Sequence, residues 1–177
     1  ISKTRDDAAG EVFDKVSRAL DLGYPGGPII EKYAQQGDPS RFAFTIPMKH
    51  QGLEFSFSGL KTAVIQCIAT FEPDCIPVHD ICASFQKVVI DTLIHKSIKA
   101  CQTYSIQTLI CGGGVTANKA LITALTSSCL NFDIHVITSP LSLCTDNAAM
   151  IGIAGYHLST YYDISSDHIH ATPGLTI

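Results

Sequence analysis

Near its C-terminal end the sequence reads SPLSLCTDNAAMIGIAGY, where one carboxylate, Asp146, and one amide, Asn147, interrupt an apolar passage. A helix start accounts for the pair. Thr145 is a good N-cap, and an acid in the first turn stabilises a helix by about 0.3–1 kcal/mol. A ligand site accounts for it as well. The helix that follows is apolar nearly all round, so its start is expected to be buried or to face another domain, and a buried carboxylate requires a partner. A metal ion is one candidate. One carboxylate does not make a metal site, however, and no H-x-x-x-H pair occurs in this chain. His168 and His170, two apart in a polar tail, read as solvated rather than ligating.

Two further positions carry possible chemistry. Gly112, Gly113 and Gly114 follow a short apolar run and open a helix pattern. Such a turn lets the backbone approach a ligand, while the following helix offers N–H groups and a positive dipole end that favour a phosphate or nucleotide. Asn118, in the first turn of that helix, can donate and accept, which suits a nucleobase or ribose. Glycine-rich strand-to-helix turns also occur in α/β proteins that bind nothing, and this one is neither a Walker loop nor the dinucleotide fingerprint. Asp14 lies on the polar stripe of the first helix, ahead of the glycine turn YPGGP. It could hold ribose hydroxyls or be a solvated helix-face acid.

The elements that must position these residues follow from periodicity. Ala9, Val12, Phe13, Val16, Ala19 and Leu20 recur at helical steps, predicting a helix from about Asp7 to Leu20, stopped by Gly23. A second helix runs through Ile29, Ile30, Tyr33 and Ala34 to Gly37. LEFSFSGLKTAV alternates as a strand and then starts a helix toward Phe71. A long helix is expected from about Val78 to Tyr104, then a strand in IQTLIC, the glycine turn, a helix, a strand in FDIHVITSP and a last helix. Strands alternating with helices imply an α/β fold with at least partly parallel pairing.

Composition bounds the function. The 177 residues fit one domain with a large interior, since 46% are hydrophobic and only 16% charged. Mean hydropathy is positive, which leaves open a face meant to be covered. The net charge of −4 gives no bulk signal for nucleic acid, so any RNA partner must meet a local patch or another subunit. The seven cysteines are odd in number, lack a C-x-x-C pair and sit mostly in apolar runs, as expected of reduced core thiols in a cytosolic protein. No apolar run approaches the ~20 residues that span a bilayer, and no signal peptide is visible. The opening ISKTRDD, without Met, reads as the middle of something longer.

DDAAGEVFDK, LGYPGGP, LEFSFSGLKTA, GGGVTANK and CTDNAAM together resemble, in order and rough spacing, the TsaD family of bacterial tRNA adenosine threonylcarbamoyltransferases, formerly described as O-sialoglycoprotein endopeptidases. The resemblance covers nearly the whole chain but only the C-terminal half of the family's length. It implies an actin/Hsp70-like (ribonuclease H-like) fold, with residues 1–177 as a single α/β lobe holding a mixed sheet and the N-terminal lobe absent. It implies transfer of a threonylcarbamoyl group from threonylcarbamoyl-adenylate to the exocyclic amine of the adenosine beside the anticodon. Carried over, Asp14, Gly27 and Asn118 contact the nucleoside, and Glu31 could also reach the ribose. Asp146 ligates one divalent ion, iron or zinc, whose histidine partners lie in the absent lobe. The implied partners are tRNA, the inactive paralogue TsaB and the ATPase TsaE; the implied location is the cytoplasm, with no membrane contact. Ala148 stands where the family usually has Gly. This chain alone is expected to be inactive.

Two other readings compete. A metalloprotease needs a closed ligand set and a general base, whereas the chain shows one aspartate and no zincin helix. A non-catalytic scaffold lobe of the same assembly is the third reading, and Asp146, which the inactive paralogue is expected to lack, favours the catalytic branch.

Overall fold

A computed structural model of the chain describes residues 1–161, so His168 and His170 lie outside the described residues. Its elements are α1 (Ala9–Ala19), α2 (Gly26–Ala34), α3 (Ser58–Ile68), α4 (Val78–Thr103), β1 (Thr108–Cys111), α5 (Lys119–Leu130), β2 (His135–Thr138) and α6 (Ala148–Tyr161). Short 3-10 turns occupy Pro73–Cys75, Gly114–Ala117 and Leu141–Leu143.

The apolar spacing of α1 buries Val12, Phe13 and Val16, and Glu11 reaches back to accept from the Ala8 N–H at 3.3 Å. Asp21 and Gly23 adopt positive φ beyond its C-terminus, and the chain returns as α2. The helices touch at Gly26, where an added Cβ would lie 2.4 Å from the Phe13 carbonyl oxygen. That contact admits only glycine.

At 1.5 Å per residue, α4 is about 39 Å long. It is the spine shared by two apolar clusters. Its first half packs Ile81, Phe85, Val88 and Val89 with α1, α2 and α3. Its second half packs Ile98 and Cys101 with Leu125 and Cys129 of α5, Ile134, and one face of the sheet. The sheet pairs β1 and β2 in parallel, Thr108 opposite His135 and Cys111 opposite Thr138. Leu109 and Val136 face that second cluster, whereas Ile110 and Ile137 are exposed. The expected α/β architecture with parallel pairing is present, but the mixed sheet that the resemblance implied is not: among the described residues the sheet consists of two parallel strands. All seven cysteines are free thiols, and burial pushes that of Cys82 up to about 12.

One further expectation needs correction. LEFSF is not a strand: Phe55 makes an isolated bridge with Thr4, and the N–H groups of Phe57 and Ser58 are taken by the Asp6 carboxylate at 2.7 and 3.2 Å. A side-chain acceptor therefore replaces a strand partner and starts α3. Of the two alternatives for the apolar α6, burial within this chain or a face toward another domain, the described residues exclude the first. Met150, Ile151, Ile153, Tyr156 and Leu158 are all exposed, because no other described element packs over them.

Candidate functional site

A cavity of about 590 Å³ opens between the α1–α2 corner and the glycine turn before α5. Asp14, Gly27, Glu31, Gly114, Asn118 and Thr145 are among the residues that line it. Three of the four residues singled out in the sequence thus share one concavity, with Glu31 beside them and the fourth, Asp146, next to the lining residue Thr145.

Each is held by a specific bond. Asp14 on α1 accepts from the Gly26 N–H through Oδ1 at 2.7 Å, which fixes the glycine corner and leaves Oδ2 without a partner among the described residues. Gly27, one residue on, has nothing within 4 Å of the position a Cβ would take, so its backbone borders open space. Gly113 adopts φ +91, a conformation in which a side chain would be strained, and turns the chain from β1 into α5.

Asn118 is not in the first turn of α5 but caps it. Its Oδ1 accepts from the Leu121 N–H at 2.9 Å, and its Nδ2 donates to Gln86 Oε1 at 2.8 Å. Glu31 Oε1 accepts from the Lys119 N–H at 2.8 Å. Two N–H groups expected to be free for a phosphate are therefore already satisfied by side chains, one of them anionic. What remains for a ligand includes the second Nδ2 hydrogen of Asn118, the unoccupied oxygens of Asp14 and Glu31, the side chains of Lys119 and Thr145, and the glycine backbone.

Sequence reasoning missed Gln86. Its buried amide orients Asn118, and a polar residue between Phe85 and Val88 on a buried helix face was the available signal. Asp6 was missed because its partners, Ser56 to Ser58, lie some fifty residues away.

Asp146 departs from expectation in two ways. The cap of α6 is Asn147, whose Oδ1 accepts from the Met150 N–H at 3.0 Å, so Asp146 precedes the helix and neither Thr145 nor Asp146 plays the expected part. The Asp146 side chain is also exposed rather than buried, and it makes no hydrogen bond or ion pair among the described residues. Its sequence neighbour Thr145 lines the cavity, and Asp146 itself does not. Ala148 is the first residue of α6 and exposed, so its methyl meets no crowding. No group of three or more His, Cys, Asp or Glu that could hold a metal occurs among the described residues. An unpartnered carboxylate fits one ligand of an ion, and not a complete site.

The family model described as TsaD: tRNA N6-adenosine threonylcarbamoyltransferase matches residues 1–153. A protein of that name from Thermosipho africanus is 46% identical, aligning all of this chain with 54% of its own length. The Thermosipho melanesiensis protein of the same name is 49% identical with the same coverage, and that of Microcystis aeruginosa is 47% identical over 93% of this chain and 51% of its own. The chain thus spans about half the length of these relatives. The crystal structure of T. kodakarensis HypF superposes with a TM-score of 0.63 over 88% of this chain and 20% of its own, at 19% identity, a likeness of fold alone.

Proposed function

The chain belongs to the TsaD family of tRNA N6-adenosine threonylcarbamoyltransferases, and from that membership we propose that it forms one wall of the site that transfers a threonylcarbamoyl group to tRNA. The observation that carries this reading is the single cavity lined by Asp14, Gly27 and Asn118, with Asp146 beside its lining residue Thr145. In this proposal the chain is one lobe of an actin/Hsp70-type fold and the second lobe closes the cavity from the other side.

The donor is threonylcarbamoyl-adenylate. Its ribose hydroxyls donate to Asp14 and Glu31, each of which keeps one oxygen clear of its structural bond. Its base sits against Gly27, where no side chain intrudes. Asn118 donates its remaining hydrogen to the nucleoside, its amide being held in that orientation by Gln86 and the Leu121 N–H. The adenosine amine of tRNA attacks the carbamoyl carbon, a C–N bond forms, the C–O bond to the phosphate breaks with AMP as the leaving group, and the amine gives up one proton to solvent. Positioning is the main contribution of this wall, since a fixed near-attack geometry removes much of the entropic barrier.

Asp146 would supply one oxygen ligand to a divalent iron or zinc ion completed by histidines from the other lobe, and the ion would add Lewis-acid activation of the reacting groups. TsaB and TsaE are the protein partners in this reading, and the cytoplasm is its setting; among the described residues no helix is long and apolar enough to cross a membrane.

The test is transfer of labelled threonylcarbamoyl to tRNA by the full-length protein with its partners. Asp14→Ala is expected to lower the rate by about 100-fold, and the 177-residue chain alone to give no product. Product from that chain alone, or an unchanged rate in the variant, would contradict the proposal.

A further inference from the structure

Between Met48 and Gly52 the chain forms a loop whose carbonyls turn inward onto cationic side chains of α4. Lys96, 1% exposed, donates to the carbonyls of Met48, Gln51 and Gly52 at 2.7, 2.5 and 3.1 Å. His95 Nε2 lies 3.1 Å from the Lys49 carbonyl, and Lys99 donates to that of Gly52 at 3.3 Å. Four of the loop's five carbonyls are thereby engaged. The N–H groups of Lys49, His50 and Gly52, by contrast, make no hydrogen bond among the described residues. The side chains of Lys49 and His50 are exposed and make no ion pair there. Glu54, just after the loop, is paired with Arg5, and Asp91, one turn before His95, with Lys87.

The result is a loop with its acceptors withdrawn and its donors and positive charges presented. Backbone N–H groups without acceptors, set beside lysines, form a concavity suited to an anion, and the residues Thr45 to Gln51 border such a hollow. In a chain of net charge −4 the loop thus presents charge of the opposite sign.

We propose that the Met48–Gly52 loop, seated by Lys96, is a contact surface for the phosphate backbone of the tRNA substrate, with Lys49 and Lys99 as the neutralising groups and His50 as a further hydrogen-bonding side chain. The inference rests on the function proposed above. Along α4, residues 95–99 lie about 14–20 Å in axial rise from Gln86, the residue that orients Asn118, and about half a turn around the helix from it, so the loop is a surface separate from the cavity. Lys96 acts here as a positioning residue, since its ammonium is buried under the loop and touches no ligand.

The test is tRNA affinity of the full-length protein as a function of salt, for wild type and for K49A/H50A and K49E. Both sites are exposed, so unchanged melting temperatures are expected. Wild type should bind, K49A/H50A should weaken binding by roughly fivefold and reduce the log–log salt slope by about one, and K49E should weaken it further, uniformly across tRNA sequences. Affinity for a threonylcarbamoyl-adenylate analogue should be the same in all three. Wild-type affinity and slope in both variants would overturn the surface while leaving the proposed function standing. A wild-type protein that bound no tRNA would overturn both. Intact tRNA binding with loss of assembly with a protein subunit would assign the loop to an acidic protein partner and overturn the proposal likewise.

Discussion

Two adjacent glycines at the corner between α1 and α2 show how residues with the same permissive backbone take different parts. A Cβ at Gly26 would lie 2.4 Å from the Phe13 carbonyl oxygen and 2.7 Å from the Asp14 Cα, so Gly26→Ala must push the helices apart. The expected cost is about 1–3 kcal/mol, read as a lowered melting temperature. At Gly27 a Cβ meets nothing within 4 Å, and the position lines the cavity. Gly27→Val is expected to leave the melting temperature within a few degrees of wild type and to weaken binding of an adenylate analogue by about tenfold. Equal effects of both on stability would contradict this division. The YPGG pattern marked a turn and, through resemblance, a nucleoside contact at Gly27. It could not mark Gly26 as the contact between helices, because that depends on a packing partner twelve residues away.

At the scale of elements, the start of α3 depends on one acid outside it. Desolvation pushes the Asp6 carboxyl up, but the hydroxyls of Ser56 and Ser58 and the N–H groups of Phe57 and Ser58 outweigh it and hold the group well below the usual carboxylate range. A carboxylate whose folded value is depressed stabilises the fold fully above its unfolded value, about 3.9, and loses that contribution as pH falls toward the folded value. Wild type is therefore expected to melt above Asp6→Asn at neutral pH, with the gap narrowing below about pH 4; a constant gap in thermal melts across that range would contradict the assignment. Helical periodicity located α1, α2, α4 and α5 because their apolar faces repeat within one element. The same alternation in LEFSF was misread as a strand, since whether it pairs with a strand or is held by an acid is decided by residues near the N-terminus. Lys96 and Gln86 carried a signal of another kind. Each is a polar residue at a buried position of an apolar helix; Lys96 ties α4 to the Met48–Gly52 loop and Gln86 ties it to the cap of α5.

For the whole molecule, the cavity lies between the α1–α2 corner and the glycine turn before α5. Its walls come from segments about a hundred residues apart, Asp14 and Gly27 on one side and Gly114 and Asn118 on the other. Periodicity could not bring those segments together; the glycine turn and the family resemblance pointed to each wall separately, and the fold joined them. The exposure of Asp146 and α6 was legible only as one of two alternatives, since an apolar helix pattern reads as buried whichever chain covers it. The central claim is that this cavity holds the adenylate and that Asp146 contributes one ligand to an ion beside it. Calorimetry of the full-length protein with a non-hydrolysable threonylcarbamoyl-adenylate analogue, with and without divalent iron or zinc, tests it most directly. Wild type is predicted to bind at least about tenfold more tightly with metal, a difference of about 1.4 kcal/mol, and Asp146→Ala to lose that gain. Binding that ignores both the metal and the substitution would contradict the claim.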